Sequence, residues 1–332
     1  MILETPYLIF LGDAKDALAA KTGQGVVDWR PEAVIGQLRL PGCRADLGVG
    51  EMSPRKAASA GARTFLIGTV NPGGVLPKQW QGTIVDALEA GLDVASGLHT
   101  PLDSIPAIVD AARGSGGRLL EARRPVGPFP VASGRKRTGK RLLTVGTDCS
   151  VGKKYAALAI ERELTARNVA ADFRATGQTG ILIAGSGIPI DAVVADFAAG
   201  AAETLSPDND PHHWDVVEGQ GSLFHPSFAG VSLALLHGTQ PDAFVVCHEP
   251  TRTTMRNVVV PIAGIDAVIE QTIALGRLTN PAVRCVGIAL NTSELDAERA
   301  SQSIEQARRQ FGVPVCDPVR HGVDAIVDEM LS

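Results

Sequence analysis

Short apolar runs alternate with amphipathic stretches along the whole chain. The first apolar run covers residues 7–11, and the polar stretch GDAKDALAAK follows it, with Asp13 placed to cap a helix beginning near Ala14. In SPRKAASAGA, Ser53 is an N-cap candidate and Pro54 suits the first helical turn; the strand-like residues 64–67 come next. A helical pattern over about residues 83–90 stops at Gly91, residues 93–95 read as a buried strand, and SGLHTPLDS reads as a loop. A helix over 105–112 and a short strand over 118–121 close this part. Strand-then-helix alternation with such short connections predicts a parallel sheet covered on both faces.

The pattern breaks between residues 123 and 140. RRPVGPFPVASGRKRTGK is rich in proline, glycine and basic residues, as a linker or crossover would be. This sets one domain at residues 1–125, a linker at 126–140 and a second domain at 141–332. Arg135, Lys136 and Arg137 read either as solvated linker charge or as part of an anion site. The alternation then restarts: strands at 141–145, 170–174, 243–247, 285–290 and 313–315, with helices over 191–203 and near 322–331. Residues 181–183 and the glycines after them read as a loop or short strand. The expected fold class is α/β, two parallel-sheet domains in tandem.

At 332 residues the chain can bury two cores. With 45% hydrophobic and 20% charged residues it has an ordinary soluble composition. A net charge of −5 gives no basic field for nucleic acid. Cys43, Cys149, Cys247, Cys285 and Cys316 form an odd set without CxxC spacing, which suits reduced thiols and offers no zinc pattern. The N-terminus lacks a basic n-region and a cleavage site, and no apolar run reaches membrane-spanning length. A soluble cytoplasmic protein without a membrane partner is expected.

The strongest chemical signal is GTDCSVGKKY, which runs from a strand into a helix. Gly146, Thr147, Asp148, Cys149, Ser150, Val151, Gly152, Lys153, Lys154 and Tyr155 form a phosphate loop in which backbone N–H groups and a helix N-terminus converge on an anion. Lys154 stands where a Mg²⁺-binding Ser or Thr is usual. In WDVVEGQGSLFHP, an apolar strand ends in Glu218 and two glycines, a Walker-B-like element; His225 is a weaker candidate. FRATGQTGI offers Arg174 for a carboxylate or phosphate, and Thr176, Gln178 and Thr179 for neutral hydrogen bonds. In CHEPTRTTMR, His248 is a candidate general base, while Arg252 and Arg256 would share a helix face. GIALNTS offers Asn291 at a strand end. In the first half, GTVNPGGVLP and SGLHTPLD are glycine-rich loops after strands; neither is a GxGxxG, and His99 is isolated.

The phosphate loop and the Glu218-Gly219-Gln220-Gly221 stretch resemble dethiobiotin synthetase, where the Glu helps to hold the metal and an Asn at the position of Asn291 reads adenine. Together, GTDCSVGKKYAAL, RATGQTGI, DVVEGQGSLFHP, VCHEPTR and GIALNTS resemble, over essentially the whole chain, the DgcN-type D-glutamate N-acetyltransferase family. That resemblance implies a Rossmann-like N-terminal domain and a P-loop C-terminal domain. It also implies acetyl transfer from acetyl-CoA to the amine of D-glutamate or a related acidic amino acid, without a metal. In that chemistry His248 or Glu218 would take the proton, Gln178 or the loop would reach the oxyanion, and Arg174 or Arg252 would hold the carboxylate. The competing reading is an ATP-dependent ligase or kinase with Mg²⁺ on Glu218 and Asp148; a nucleotide-sensing module is a third. Relatives by fold suggest a homo-oligomer.

Overall fold

The computed structural model describes residues 1–69 and 74–332. The glycine-rich stretch GTVNPGGVLP lies partly, at residues 70–73, outside the described residues. The chain forms two compact units that do not follow chain order: Met1–Val126 with Gly177–Ala192, and Gly127–Thr176 with Val193–Ser332.

The first unit is a five-stranded parallel sheet of β1 (Tyr7–Gly12), β2 (Val34–Arg39), β3 (Thr64–Ile67), β4 (Asp93–Ser96) and β5 (Leu119–Glu121), ordered β2-β1-β3-β4-β5. Strands β1 and β3 are buried along their whole length, which is why they read as unbroken apolar runs. Leu8, Phe10, Phe65 and Ile67 pack with Trp80, Ile84 and Leu88, and Phe10 meets Trp80 edge-on at 5.3 Å between centroids. Helix α2 (Pro54–Ser59) starts as its sequence predicts, the Ser53 side chain accepting from Lys56 N. The expectation at Asp13 fails. Helix α1 spans Lys21–Trp29, and the Asp13 carboxylate instead accepts a 2.7 Å hydrogen bond from the Trp80 indole.

Helix α3 (Gln81–Glu89) and helix α4 (Pro106–Ser115) complete the alternation in this unit. The other correction concerns residues 181–183, which are neither loop nor strand. They lie in a helix, Gln178–Ala184, that packs against α1 within the first unit. Its Ile181, Leu182 and Ile183 are all buried, so the segment shows no polar face and its β-branched run imitates a strand.

The second unit is a six-stranded parallel sheet in which the strand Lys140–Gly146 is central, flanked by Trp214–Val217 on one side and Ala243–His248 on the other. Outside these lie Ala171–Arg174 at one edge, and Arg284–Leu290 followed by Val315–Cys316 at the other. All pairings are parallel, so the loops after these strands open on one edge of the sheet. The central strand leads into the helix Lys153–Ala166.

Residues 127–140 are part of this unit, and the basic run divides: Arg135 and Lys136 are exposed, as solvated charge would be, whereas Arg137 is not. Arg135 pairs with Asp208, and Lys136 with Asp242 at 2.6 Å. Arg137 is buried, 6% exposed. Its guanidinium donates to the carbonyls of Glu203 (2.7 Å) and Ser206 (2.8 Å) at the end of the helix Ala195–Leu205, and to those of Gly238 and Thr239 at the end of the helix Ala229–Thr239. One cation thus caps two helix C-termini, where orphan carbonyls and the helix dipole favour positive charge. The two helices cross closely because Gly238 has no side chain: a Cβ there would lie 2.1 Å from the Ala199 carbonyl oxygen.

Candidate phosphate-binding site

The loop after the central strand has the form its sequence requires. Ser150 and Gly152 turn through positive φ (56° and 104°), which brings the chain into the N-terminus of the helix that begins at Lys153. The Lys153 ammonium is buried and donates to the carbonyls of Asp148 (2.7 Å) and Gly221 (2.8 Å). Burial pulls its pKa down, while Cys247, Cys149, Asp148 and Glu218 act in the opposite sense. Lys154, half-buried, holds its ammonium 4.4 Å from the centroid of the Tyr155 ring.

The EGQG stretch lies directly against this loop. Gly219 is obligatory, since a Cβ there would fall 1.6 Å from the Thr144 carbonyl oxygen, and its N–H donates to Thr144 Oγ1 at 2.9 Å. Glu218 is 7% exposed and accepts from Thr176 N at 3.0 Å; its carbonyl accepts from Thr176 Oγ1, and Gln220 Nε2 donates to the Thr176 carbonyl. Glu218, Gln220 and Thr176 therefore bind two loops together. Thr144 was not foreseen as part of the site. Its only sequence signal is a hydroxyl in an otherwise apolar strand.

His248 ends the neighbouring strand and meets the phosphate loop: its Nδ1 lies 2.9 Å from Thr147 Oγ1. Burial lowers its pKa below the ordinary histidine value, with Glu249 opposing and Arg252 reinforcing the shift, so the imidazole is neutral at neutral pH. Asn291 donates its backbone N–H to the His248 carbonyl at 2.8 Å, and its side chain borders Gly152.

Arg252 and Arg256 do not share a helix face. They come from an irregular loop closed by a bridge between Thr254 and Pro261, and both reach the phosphate loop. The connection runs through Asp148, fully buried, whose Oδ2 accepts from Arg252 Nη1 (2.9 Å) and from the Arg256 backbone N–H (2.7 Å). Arg252 also donates to the Cys149 carbonyl (2.6 Å) and pairs with Glu249, while Arg256 Nη1 donates to Ser150 Oγ (2.6 Å). His225 supports the same loop. Its Nδ1 accepts from Ser227 N at 3.1 Å, which leaves Nε2 protonated and donating to the Arg256 carbonyl at 3.0 Å.

Arg174 is placed differently from its expected role. Its guanidinium turns back along the sheet to Asp215 (2.7 Å) and Asp172 (2.9 Å), so an ion pair inside the unit uses the fork proposed for a substrate carboxylate. Gln178 and Thr179 open the helix that belongs to the first unit.

Asp148, Cys149 and His225 approach closely enough to suggest a cation site, as do Asp172, His213 and Asp215. The first set has both His225 nitrogens engaged and a Cys149 thiol whose pKa is raised by burial; the second contains the Arg174 cation. Asp148 Oδ1, in the first set, is buried without a hydrogen-bond partner.

The comparisons with known proteins match this architecture. Residues 130–327 match the P-loop domain of the family DUF1611, a domain of unknown function, and residues 38–125 match that family's Rossmann-like N-terminal domain. The chain belongs to the DUF1611 family. A D-glutamate N-acetyltransferase of Tritonibacter scottomollicae is 49% identical over 332 residues, covering all of both chains. One of a Pseudoalteromonas species is 50% identical over 328 residues, covering 98% of this chain and 99% of that one. The crystal structure of a DUF1611 family protein from Anabaena variabilis superposes with a TM-score of 0.83 at 30% identity, covering 99% of each chain. The two parallel α/β domains are therefore those of the family. Among the described residues no helix is long and apolar enough to cross a membrane.

Proposed function

We propose that this protein transfers the acetyl group of acetyl-CoA to the amine of D-glutamate, with its phosphate loop holding the phosphates of coenzyme A. The observation that carries this reading is identity of about half over full length to two proteins named for that activity.

The loop chemistry favours an uncleaved, metal-free phosphate ligand. Lys154 occupies the position of the usual Mg²⁺-binding hydroxyl. Of the two carboxylates that a ligase would use for Mg²⁺, Asp148 compensates Arg252 through Oδ2 and keeps a buried Oδ1 without a partner, and Glu218 accepts from the Thr176 amide. Coenzyme A needs no polarised leaving phosphate, so ammonium groups and helix-terminal amides suffice.

His248 is the general base. With Nδ1–H donating to Thr147 Oγ1, Nε2 carries the lone pair that takes a proton from the substrate ammonium. The freed amine attacks the thioester carbonyl, an N–C bond forms, and the C–S bond breaks as coenzyme A leaves as its thiol. N-acetyl-D-glutamate is the other product, and one proton is released overall.

Chiral chromatography coupled to mass analysis of the products tests the assignment. Incubation with acetyl-CoA and D-glutamate should yield N-acetylglutamate of retained configuration. Absence of acetylated product with D-glutamate would refute the assignment.

A further inference from the structure

The cations around the phosphate loop are not equally occupied. Lys153 is held by two backbone carbonyls, and Arg252 by Asp148 and Glu249. Arg256 differs. Among the described residues no carboxylate pairs with it, yet it is held in place from three directions: its N–H by Asp148, its carbonyl by His225, and its guanidinium by Ser150 Oγ. The guanidinium keeps Nε and Nη2 for further acceptors. It lines a cavity of about 500 Å³, open to solvent, together with Arg252, Thr254 and Asn257.

An oriented, uncompensated guanidinium beside a phosphate loop suits a second phosphate on the same ligand. The loop and the N-terminus of its helix can take one phosphate group; Arg256 stands next to Ser150 in that loop. A ribose phosphorylated at both its 5′ and 3′ oxygens presents two anions separated by one sugar ring. The 3′ group is a monoester, close to doubly charged at neutral pH, and so demands more positive charge than a diester or a carboxylate. ATP has no such group.

We infer that the Arg256 cavity is the subsite for the 3′-phosphate of coenzyme A and the feature that selects it over nucleotides lacking that phosphate. This rests on the reading that the phosphate loop binds coenzyme A. Arg256 is here a specificity residue that would bind the coenzyme and not the reacting atoms.

Titration calorimetry with coenzyme A, dephospho-coenzyme A, adenosine 3′,5′-bisphosphate and ADP tests it on the intact protein. The wild type should bind coenzyme A roughly tenfold or more tightly than dephospho-coenzyme A, the size of one charge-assisted hydrogen-bond pair. It should likewise prefer the bisphosphate to ADP. Arg256→Gln should abolish both preferences by weakening only the 3′-phosphorylated ligands, and Arg256→Lys should restore them in part. Equal binding of coenzyme A and its dephospho form by the wild type would overturn the inference and leave the coenzyme reading standing. So would an Arg256→Gln variant that raised the KM for D-glutamate while keeping the ligand preference. Failure of every coenzyme A derivative to bind would overturn both.

Discussion

A neutral imidazole at His248 follows from burial, and burial also sets its pH behaviour. A folded-state pKa below the ordinary histidine value keeps the base unprotonated until the pH falls below that value. The acid limb of kcat/KM should therefore lie below pH ~6.5. His248→Gln should lower kcat by about 10²–10⁴-fold and remove that limb, as general-base loss does. A pH–rate profile unchanged by the substitution would rule His248 out. In the proposed reaction Lys154 would supply charge where a metal would otherwise be recruited. Lys154→Thr should weaken coenzyme A binding roughly fivefold to tenfold in calorimetry with chelator present; unchanged affinity would contradict its role.

At the scale of elements, a buried arginine at two helix ends separates structural from surface charge. Arg137→Met would strand the last carbonyls of two helices in the interior, so a loss of about 2–4 kcal/mol in denaturant-melt stability is expected. Arg135→Met, breaking an exposed pair with Asp208, should cost about 1 kcal/mol or less. Equal effects would refute this distinction. The sequence places these neighbours two apart in a basic run and does not show which of them is buried. Elements with a one-sided pattern or a cap were legible, such as the Ser53-Pro54 helix start. The edge strand Val34–Arg39 and the helices Ala229–Thr239, Ile265–Gly276 and Ala297–Phe311 were not recognised. The helix Gln178–Ala184 was misread because burial on all sides removes the polar face that marks a helix. Gly219→Ala would test the fit of the EGQG stretch to the central strand: about 1–3 kcal/mol or more of destabilisation is expected from the clash with Thr144. An unchanged melting curve would contradict that fit.

For the whole molecule, the tandem α/β architecture could be read from alternation alone, because parallel sheets bury their strands and separate them with helices. The excursion of residues 177–192 into the first unit could not, since periodicity carries no information about which sheet a helix covers. The phosphate loop was legible because glycines, lysine and helix start are all local in sequence. Its partners were named but not their geometry: Asp148 joining Arg252 and Arg256, and Thr147 facing His248, depend on contacts across about a hundred residues of chain.

The proposed reaction requires this loop to serve acetyl transfer from coenzyme A without metal or ATP. Free-thiol release on mixing the protein with acetyl-CoA and D-glutamate, with EDTA present and ATP absent, tests it most directly. D-glutamate-dependent release at a rate unaffected by EDTA is expected. No release, or release only on adding ATP and Mg²⁺, would contradict it.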